Sequence, residues 1–147
     1  GCANGPKFDG LAKLQNNEAG VYIYRPASLK AVAVAPTVYL DEKEVSVLYN
    51  GGFVFVKVAP GLHSIKLDGS YMDWPYGKLQ MPIQVQNGEF IFVEMSTSFG
   101  ISKHYIIYTE YEVGASIKVI PESEALKKIE KLNLSIPQPI EIDDDDL

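Results

Sequence analysis

The stretch from Thr37 to Leu67, TVYLDEKEVSVLYNGGFVFVKVAPGLHSIKL, decides the fold. Its apolar residues fall into short runs rich in Val, Ile, Tyr and Phe, separated by clusters of Asp, Asn, Gly and Pro that turn a chain. Thr37 to Leu40 and Val45 to Tyr49 flank Asp41-Glu42-Lys43-Glu44, a polar connection of hairpin length. Asn50-Gly51-Gly52 tolerates positive φ before Phe53 to Val58, and Ala59-Pro60-Gly61 turns the chain again before Leu62 to Leu67. The stretch therefore predicts a hairpin that continues as an antiparallel meander.

The same rhythm extends to both sides. Val21 to Arg25 reads as a first strand that Pro26 stops, because proline offers no N–H to a ladder. Pro82 to Gln86 and Glu89 to Ser96 lie on either side of Asn87-Gly88, a strong short-range hairpin signal. His104 to Val113 carries apolar residues on both alternating faces and predicts a central strand, and Ala115 to Ile120 a short one. One helix is expected over 122–132, with Pro121 at its start, Glu122 and Glu124 at the positive end of its dipole, and Lys127, Lys128 and Lys131 at the other. Ala125, Leu126, Ile129 and Leu132 form its apolar stripe, which must cover an open edge or face of the sheet. The fold class is all-β, mainly antiparallel, a β-sandwich with one C-terminal helix.

With 147 residues the chain is read as one domain, large enough to bury a core without cross-links. Its single cysteine, Cys2, lies among small residues in Gly1-Cys2-Ala3-Asn4-Gly5, the pattern left when a lipoprotein signal is cut before a cysteine whose sulfur then carries diacylglycerol. Residues 1–20 are accordingly read as a lipid-attachment cysteine with a flexible tether, 21–133 as the sandwich with its helix, and 134–147 as an extended acidic tail. The longest apolar runs fall far short of the roughly 20 residues that span a bilayer, so the membrane is expected as a partner through lipidated Cys2. The net charge of −6 disfavours nucleic acid, whose phosphates draw clustered Lys and Arg. Most of that charge is local, in Glu141 and Asp143 to Asp146, which lack the spacing of a calcium loop.

From Val21 to Leu67 the chain resembles DUF2846, a family of small, mostly bacterial lipoproteins of unknown function. The resemblance rests on Val21-Tyr22-Ile23-Tyr24-Arg25-Pro26, on the hairpin Val38 to Val45, on Leu48 with Asn50-Gly51-Gly52-Phe53, and on Pro60-Gly61-Leu62-His63. The chain departs from the family where the hairpin usually turns through Asp-Gly and here has Asp41-Glu42. The resemblance implies a sandwich of carboxypeptidase-regulatory or PEGA-like character, displayed from the envelope of a Gram-negative bacterium and facing the periplasm, with no catalytic residues to carry over. It also implies onward sorting to the outer membrane, since position 3 is Ala3 rather than an acidic residue that would favour inner-membrane retention.

Converging chemistry is sparse. His63 and His104, the only histidines, show no close metal-ligand spacing, and no nucleophile elbow or phosphate-binding loop is present, so neither a catalytic residue, a metal nor a cofactor is assigned. The candidate binding loop is Asp68 to Met81, which breaks the strand pattern and carries Tyr71, Trp74 and Tyr76, with Arg25 able to stack among aromatics. Against this stands a structural reading, in which Trp74 plugs one end of the sandwich and Arg25 is an edge charge. Three functions compete: a non-enzymatic binding module for a protein or glycan; a small hydrolase or carbohydrate-processing enzyme using Asp73 beside Trp74; and a structural accessory subunit that adds a strand or an apolar patch to an envelope complex.

Overall fold

The computed structural model of the protein describes residues 1–104 and 109–138, with the side chains of 98–113 outside that description. Two sheets face each other. One has the order β8-β7-β1-β4-β9, built from β1 (Ala19–Tyr24), β4 (Gly52–Val58), β7 (Phe90–His104), β8 (Thr109–Ile120) and β9 (Asn133–Leu134). The other has the order β3-β2-β5-β6, from β2 (Thr37–Leu40), β3 (Lys43–Val47), β5 (Gly61–Asp68) and β6 (Leu79–Val85). The all-β sandwich is thus present, with a single short helix among the described residues, α1 (Glu122–Ile129).

All six residues of β1 are buried, because both of its faces are covered. Ala19, Val21 and Ile23 point into the space between the sheets, where they join Val38, Leu48, Ile65, Leu67, Trp74, Ile83, Val85 and Val93. Tyr22 and Tyr24 point the other way, into a second cluster with Phe53, Phe92, Ile120, Ala125, Ile129 and Leu132. That outer cluster is roofed by α1 and by the N-terminal segment, whose Phe8 meets Tyr22 and Phe53 edge to face at 5.7 and 5.6 Å. Gly20 is required by this crowding: a Cβ there would stand 2.7 Å from the Phe90 ring and 2.8 Å from Phe55.

The hairpin predicted around Asp41 forms, with a tighter turn than expected. Leu40 pairs directly with Lys43, leaving Asp41 and Glu42 as a two-residue loop at φ 50° and 66°. Positive φ at both positions is the type I′ geometry that matches strand twist, so Glu42 occupies a left-handed position that favours glycine.

The meander is corrected. β3 and β4 lie in different sheets, as do β4 and β5, so Asn50-Gly51 and Ala59-Pro60 carry the chain across the sandwich. The Asn87-Gly88 hairpin is corrected in the same way. A turn does form, with Glu89 N–H donating to the Gln86 carbonyl and Gly88 at φ 76°, but β6 and β7 then part to opposite sheets. β7 instead lies parallel to β1, Tyr24 opposite Glu94, because Val93 and Phe92 find apolar cover there on both faces.

Residues 104 to 113 are not one central strand: β7 ends at His104, β8 begins at Thr109 on the sheet edge, and 105–108 lie outside the described residues. The helix is shorter than predicted, since Glu130 already caps it. The start of the expected tail is also corrected. Asn133–Leu134 pairs with Gly52 and Phe53 as β9, and Ser135 N–H donates to the Phe53 carbonyl. Glu141 and Asp143 to Asp146 lie outside the described residues.

The flexible tether is corrected most sharply. Cys2 bridges Asn50, Ala3 N–H donates to the Asn50 carbonyl, Gly5 N–H to Leu134, Phe8 N–H to Leu132, and Ala12 N–H to the Tyr22 hydroxyl. The composition of residues 3 to 20 suggested a polar linker, but Phe8 supplies an apolar anchor and β9 an edge on which the backbone pairs.

Candidate functional site

Strand directions bring several connections to one end of the sandwich. β1 ends at Tyr24, opposite the start of β4 at Phe53, and Thr37 of β2 stands opposite Asp68, the last residue of β5. The connections 25–36, 48–51 and 69–78 therefore share that end, and Cys2, paired at Asn50, joins them.

Arg25 follows β1 directly and turns inward. It is 2% exposed, and its guanidinium donates to the carbonyls of Ala31 at 2.7 Å, Val34 at 2.8 Å and Leu48 at 3.2 Å. Burial pulls the guanidinium below its ordinary value, and the neighbouring Tyr76 and Cys2 partly offset that pull. Its planar fork closes the 26–36 connection upon itself, a role a point charge fills poorly. Arg25 thus serves as a backbone clamp rather than as a surface cation.

The aromatic loop divides. Trp74 is 1% exposed, its indole N–H donates to the Gly77 carbonyl at 2.8 Å, and its ring meets Tyr76 edge to face at 4.8 Å. Tyr76 is partly buried against the inter-sheet core. Tyr71 stands outside, 82% exposed, beside Met72 at 83%. The four candidates Arg25, Tyr71, Trp74 and Tyr76 therefore do not converge on one cavity: two fill the end of the core, one clamps a loop and one faces outward. Asp73 is exposed, and its carboxylate accepts from the Ser70 hydroxyl at 2.8 Å within its own turn.

Sequence reasoning passed over the buried carboxylate of the described residues. Glu94 on β7 is 6% exposed, and one carboxylate oxygen accepts from the Tyr24 hydroxyl at 2.7 Å and from Lys128 Nζ at 2.9 Å. The other oxygen accepts from Lys128 at 3.2 Å. Burial works to raise the Glu94 carboxyl, but the bonds from Lys128 and Tyr24 outweigh it and hold it below the usual range. Burial, then the hydrogen bond and charge of Glu94, push the Tyr24 phenol far above its ordinary value. The signal available in the sequence was one carboxylate inside the apolar run Phe90-Ile91-Phe92-Val93-Glu94-Met95, where an unpaired charge would be costly.

A groove of about 400 Å³ opens beside this cluster, lined by Pro26, Ala27, Glu94, Lys128, Lys131 and Leu132. Chemically the cluster is closed. A carboxyl held below its usual range carries no proton to give at neutral pH, and its two oxygens already accept three bonds from Tyr24 and Lys128. What it does is fasten α1 to β7 across the outer face of the sheet. Among the described residues, no three His, Cys, Asp or Glu side chains converge as metal ligands.

His63 and Asp41, both in the motifs that carried the resemblance, meet. Asp41 accepts from His63 Nδ1 and from the Ser64 N–H, at 2.6 and 2.8 Å, joining the type I′ turn to the start of β5.

A comparison with curated proteins and one with solved structures find no match to the chain. The family model described as "Protein of unknown function (DUF2846)" matches residues 15–110, which run from just before β1 into β8 and include Arg25, Asp41, His63, Trp74 and Glu94 but neither Cys2 nor Lys128. That match covers well over half of the chain, and the protein belongs to the DUF2846 family.

Proposed function

We propose that this protein is a non-enzymatic binding module held at a membrane by an acylated Cys2, facing the periplasm of a Gram-negative envelope and sorted, through Ala3, to the outer membrane. The observation that carries the reading is the state of Cys2. It is the chain's only cysteine, it is exposed, and its sulfur accepts from the Asn50 side-chain amide at 3.9 Å. Supporting it, the polar clusters of the described residues are self-satisfied: Glu94 is spent on Tyr24 and Lys128, Asp41 on His63, and Asp73 on Ser70. A carboxylate such as Asp73, with no acid or imidazole among its hydrogen-bond partners, is poorly equipped for hydrolysis.

Intact-mass spectrometry of the precursor expressed in its host tests the anchor. A diacylglyceryl adduct on Cys2, lost in Cys2→Ser, is expected; an unmodified protein that stays soluble on fractionation overturns it.

A second reading, an accessory subunit that adds a strand to a partner, is favoured by one observation. β7 and β8 keep pairing, Met95 to Ile117 onward to His104 to Thr109, past the last residue of β1 at Tyr24, so this ribbon continues without β1 alongside. Pull-down from detergent-solubilised membranes, with the ribbon shortened as a control, separates the two.

A further inference from the structure

We infer that the Cys2 end of the sandwich is a lipid-contact surface, on which Leu29, Tyr71 and Met72 enter the bilayer interface. The inference rests on the anchored reading of Cys2 and specifies how the domain sits once anchored.

The first argument is reach. A flexible tether of some 18 residues would let the domain drift tens of ångströms from its lipid, by the random-coil scaling of about 5–6 Å times the square root of length. No such slack exists here. Ala3 N–H is already bonded to Asn50, Gly5 to Leu134 and Phe8 to Leu132, so the backbone is fixed to the domain one residue after the sulfur. Acyl chains on Cys2 pull that end of the protein onto the membrane surface.

The second argument is what stands around the sulfur. The Asn50 side chain is 6% exposed and holds three groups: it donates to the Ser28 carbonyl at 3.0 Å, accepts from the Ser28 N–H at 3.0 Å, and lies 3.9 Å from Cys2 Sγ. Ser28 and the lipid-bearing sulfur are thus gripped by one amide, and the next residue is Leu29. Leu29 is 98% exposed. The neighbouring loop is tied to the same connection, Ala35 N–H donating to the Asp73 carbonyl at 3.0 Å, and it presents Tyr71 and Met72. These are the three most exposed large apolar side chains among the described residues, on two loops at one end. Leu62, the next, is at the opposite end, where Gly61 pairs with Val85.

Chemistry matches a lipid interface. A fully exposed Leu on one loop and a Tyr and a Met on the other are apolar tips with an amphipathic aromatic, which suit the headgroup–acyl boundary that such groups enter by roughly 5–10 Å. Lys30 and Lys78, exposed on the same loops, are available to anionic headgroups. Because the anchor supplies most of the membrane affinity, these side chains need only set orientation, leaving the Pro60 and Asn87 turns outermost.

The test couples the thiol of the full chain to a maleimide phospholipid in phosphatidylcholine vesicles with brominated acyl chains, so that docking is read whether or not the host acylates Cys2. Leu29→Trp and Met72→Trp are compared with Gln86→Trp at the far end, over the background of buried Trp74. Bromine should quench about half or more of the added emission at 29 and 72 and almost none at 86, given that interfacial depth. Positions 29 and 72 as unquenched as 86 in a coupled protein would overturn the docking even if mass spectrometry finds the native adduct. Vesicle-free self-association that shields Leu29→Trp would also overturn it, by making a second copy the occupant.

Discussion

His63 Nδ1 stands 2.6 Å from a carboxylate oxygen of Asp41, and its Nε2 stands 2.6 Å from the Ala59 carbonyl. Both neighbours are acceptors and a neutral imidazole has only one N–H, so this geometry favours the doubly protonated ring. The bonds to Asp41 and Ala59 raise the His63 pKa against the opposing effect of burial, and the bonds from His63 and Ser64 lower that of Asp41. The His63 contribution is therefore full below its unfolded value of 6.5 and is lost as pH rises through the raised folded pKa. The Asp41 contribution is full above 3.8 and is lost as pH falls through its lowered pKa. Asp41 is about half exposed, so screening keeps the pair near 1 kcal/mol or less. Thermal melts of the wild type should lose stability relative to His63→Gln as pH rises above 6.5; parallel curves would show that folding gives the ring no extra affinity for a proton.

Glu42, at φ 66°, gives a test by contrast. A left-handed conformation costs an L residue roughly 1–2 kcal/mol, and glycine is exempt. Both Glu42→Gly and Glu42→Ala lose the contact with Lys66, so their difference isolates the backbone. The glycine variant should be the more stable by about 1 kcal/mol in denaturant melts, the reverse of the order within a regular strand.

Removing the buried carboxylate should cost more than removing its exposed partner. Glu94→Ala leaves the Tyr24 hydroxyl buried without an acceptor and should destabilise by about 2–3 kcal/mol. The Lys128 side chain is 39% exposed, so Lys128→Ala should cost only about 1 kcal/mol at neutral pH. Because Glu94 is held below its ordinary 4.5, its contribution is present above that pH and lost as pH falls through the folded pKa. Glu94→Gln should therefore blunt the acid limb of the stability curve, and an unaltered limb would assign acid unfolding elsewhere.

The helix stripe is unequal in depth. Ile129 is fully buried and Leu126 only partly, so Ile129→Ala should cost about 2–5 kcal/mol and Leu126→Ala clearly less. Equal small losses would mean that α1 is not seated on Tyr24 and Phe92.

Arg25→Lys keeps the charge and loses the fork. The three carbonyls are reached from two separate guanidinium nitrogens, Nη1 and Nη2, a spread the single nitrogen of an ammonium does not match, so the substitution should cost about 1–3 kcal/mol. A melt unchanged by that substitution would show that the connection closes without the clamp.

Local chemistry was legible in the chain. The strand runs, the turns at Asp41, Asn50, Pro60 and Asn87, and the amphipathic helix all follow from periodicity and backbone preference, which act over a few residues. Sheet membership was not legible, because Asn87-Gly88 specifies a reversal without specifying whether the departing strand pairs with the arriving one. β1 shows the same limit. Val21-Tyr22-Ile23-Tyr24 reads as a strand, yet nothing local says that both of its faces are covered or that Phe8 and α1 supply the second cover. For the site, burial of Trp74 was weighed from its size. Glu94 was missed, because its partners lie 70 and 34 residues away.

The pairing of Gly5 with Asn133 and Leu134 sets a folding order. Gly5 N–H bonds Leu134, and the Asn133 side chain bonds the Gly5 carbonyl across a separation of 128 residues. Contacts of such span close late, after the loops between them are already paired. A chain delivered N-terminus first therefore holds its Tyr22, Phe53 and Phe92 face uncovered until residues 122 to 135 arrive, and that aromatic face is what a holding chaperone would meet in the interval.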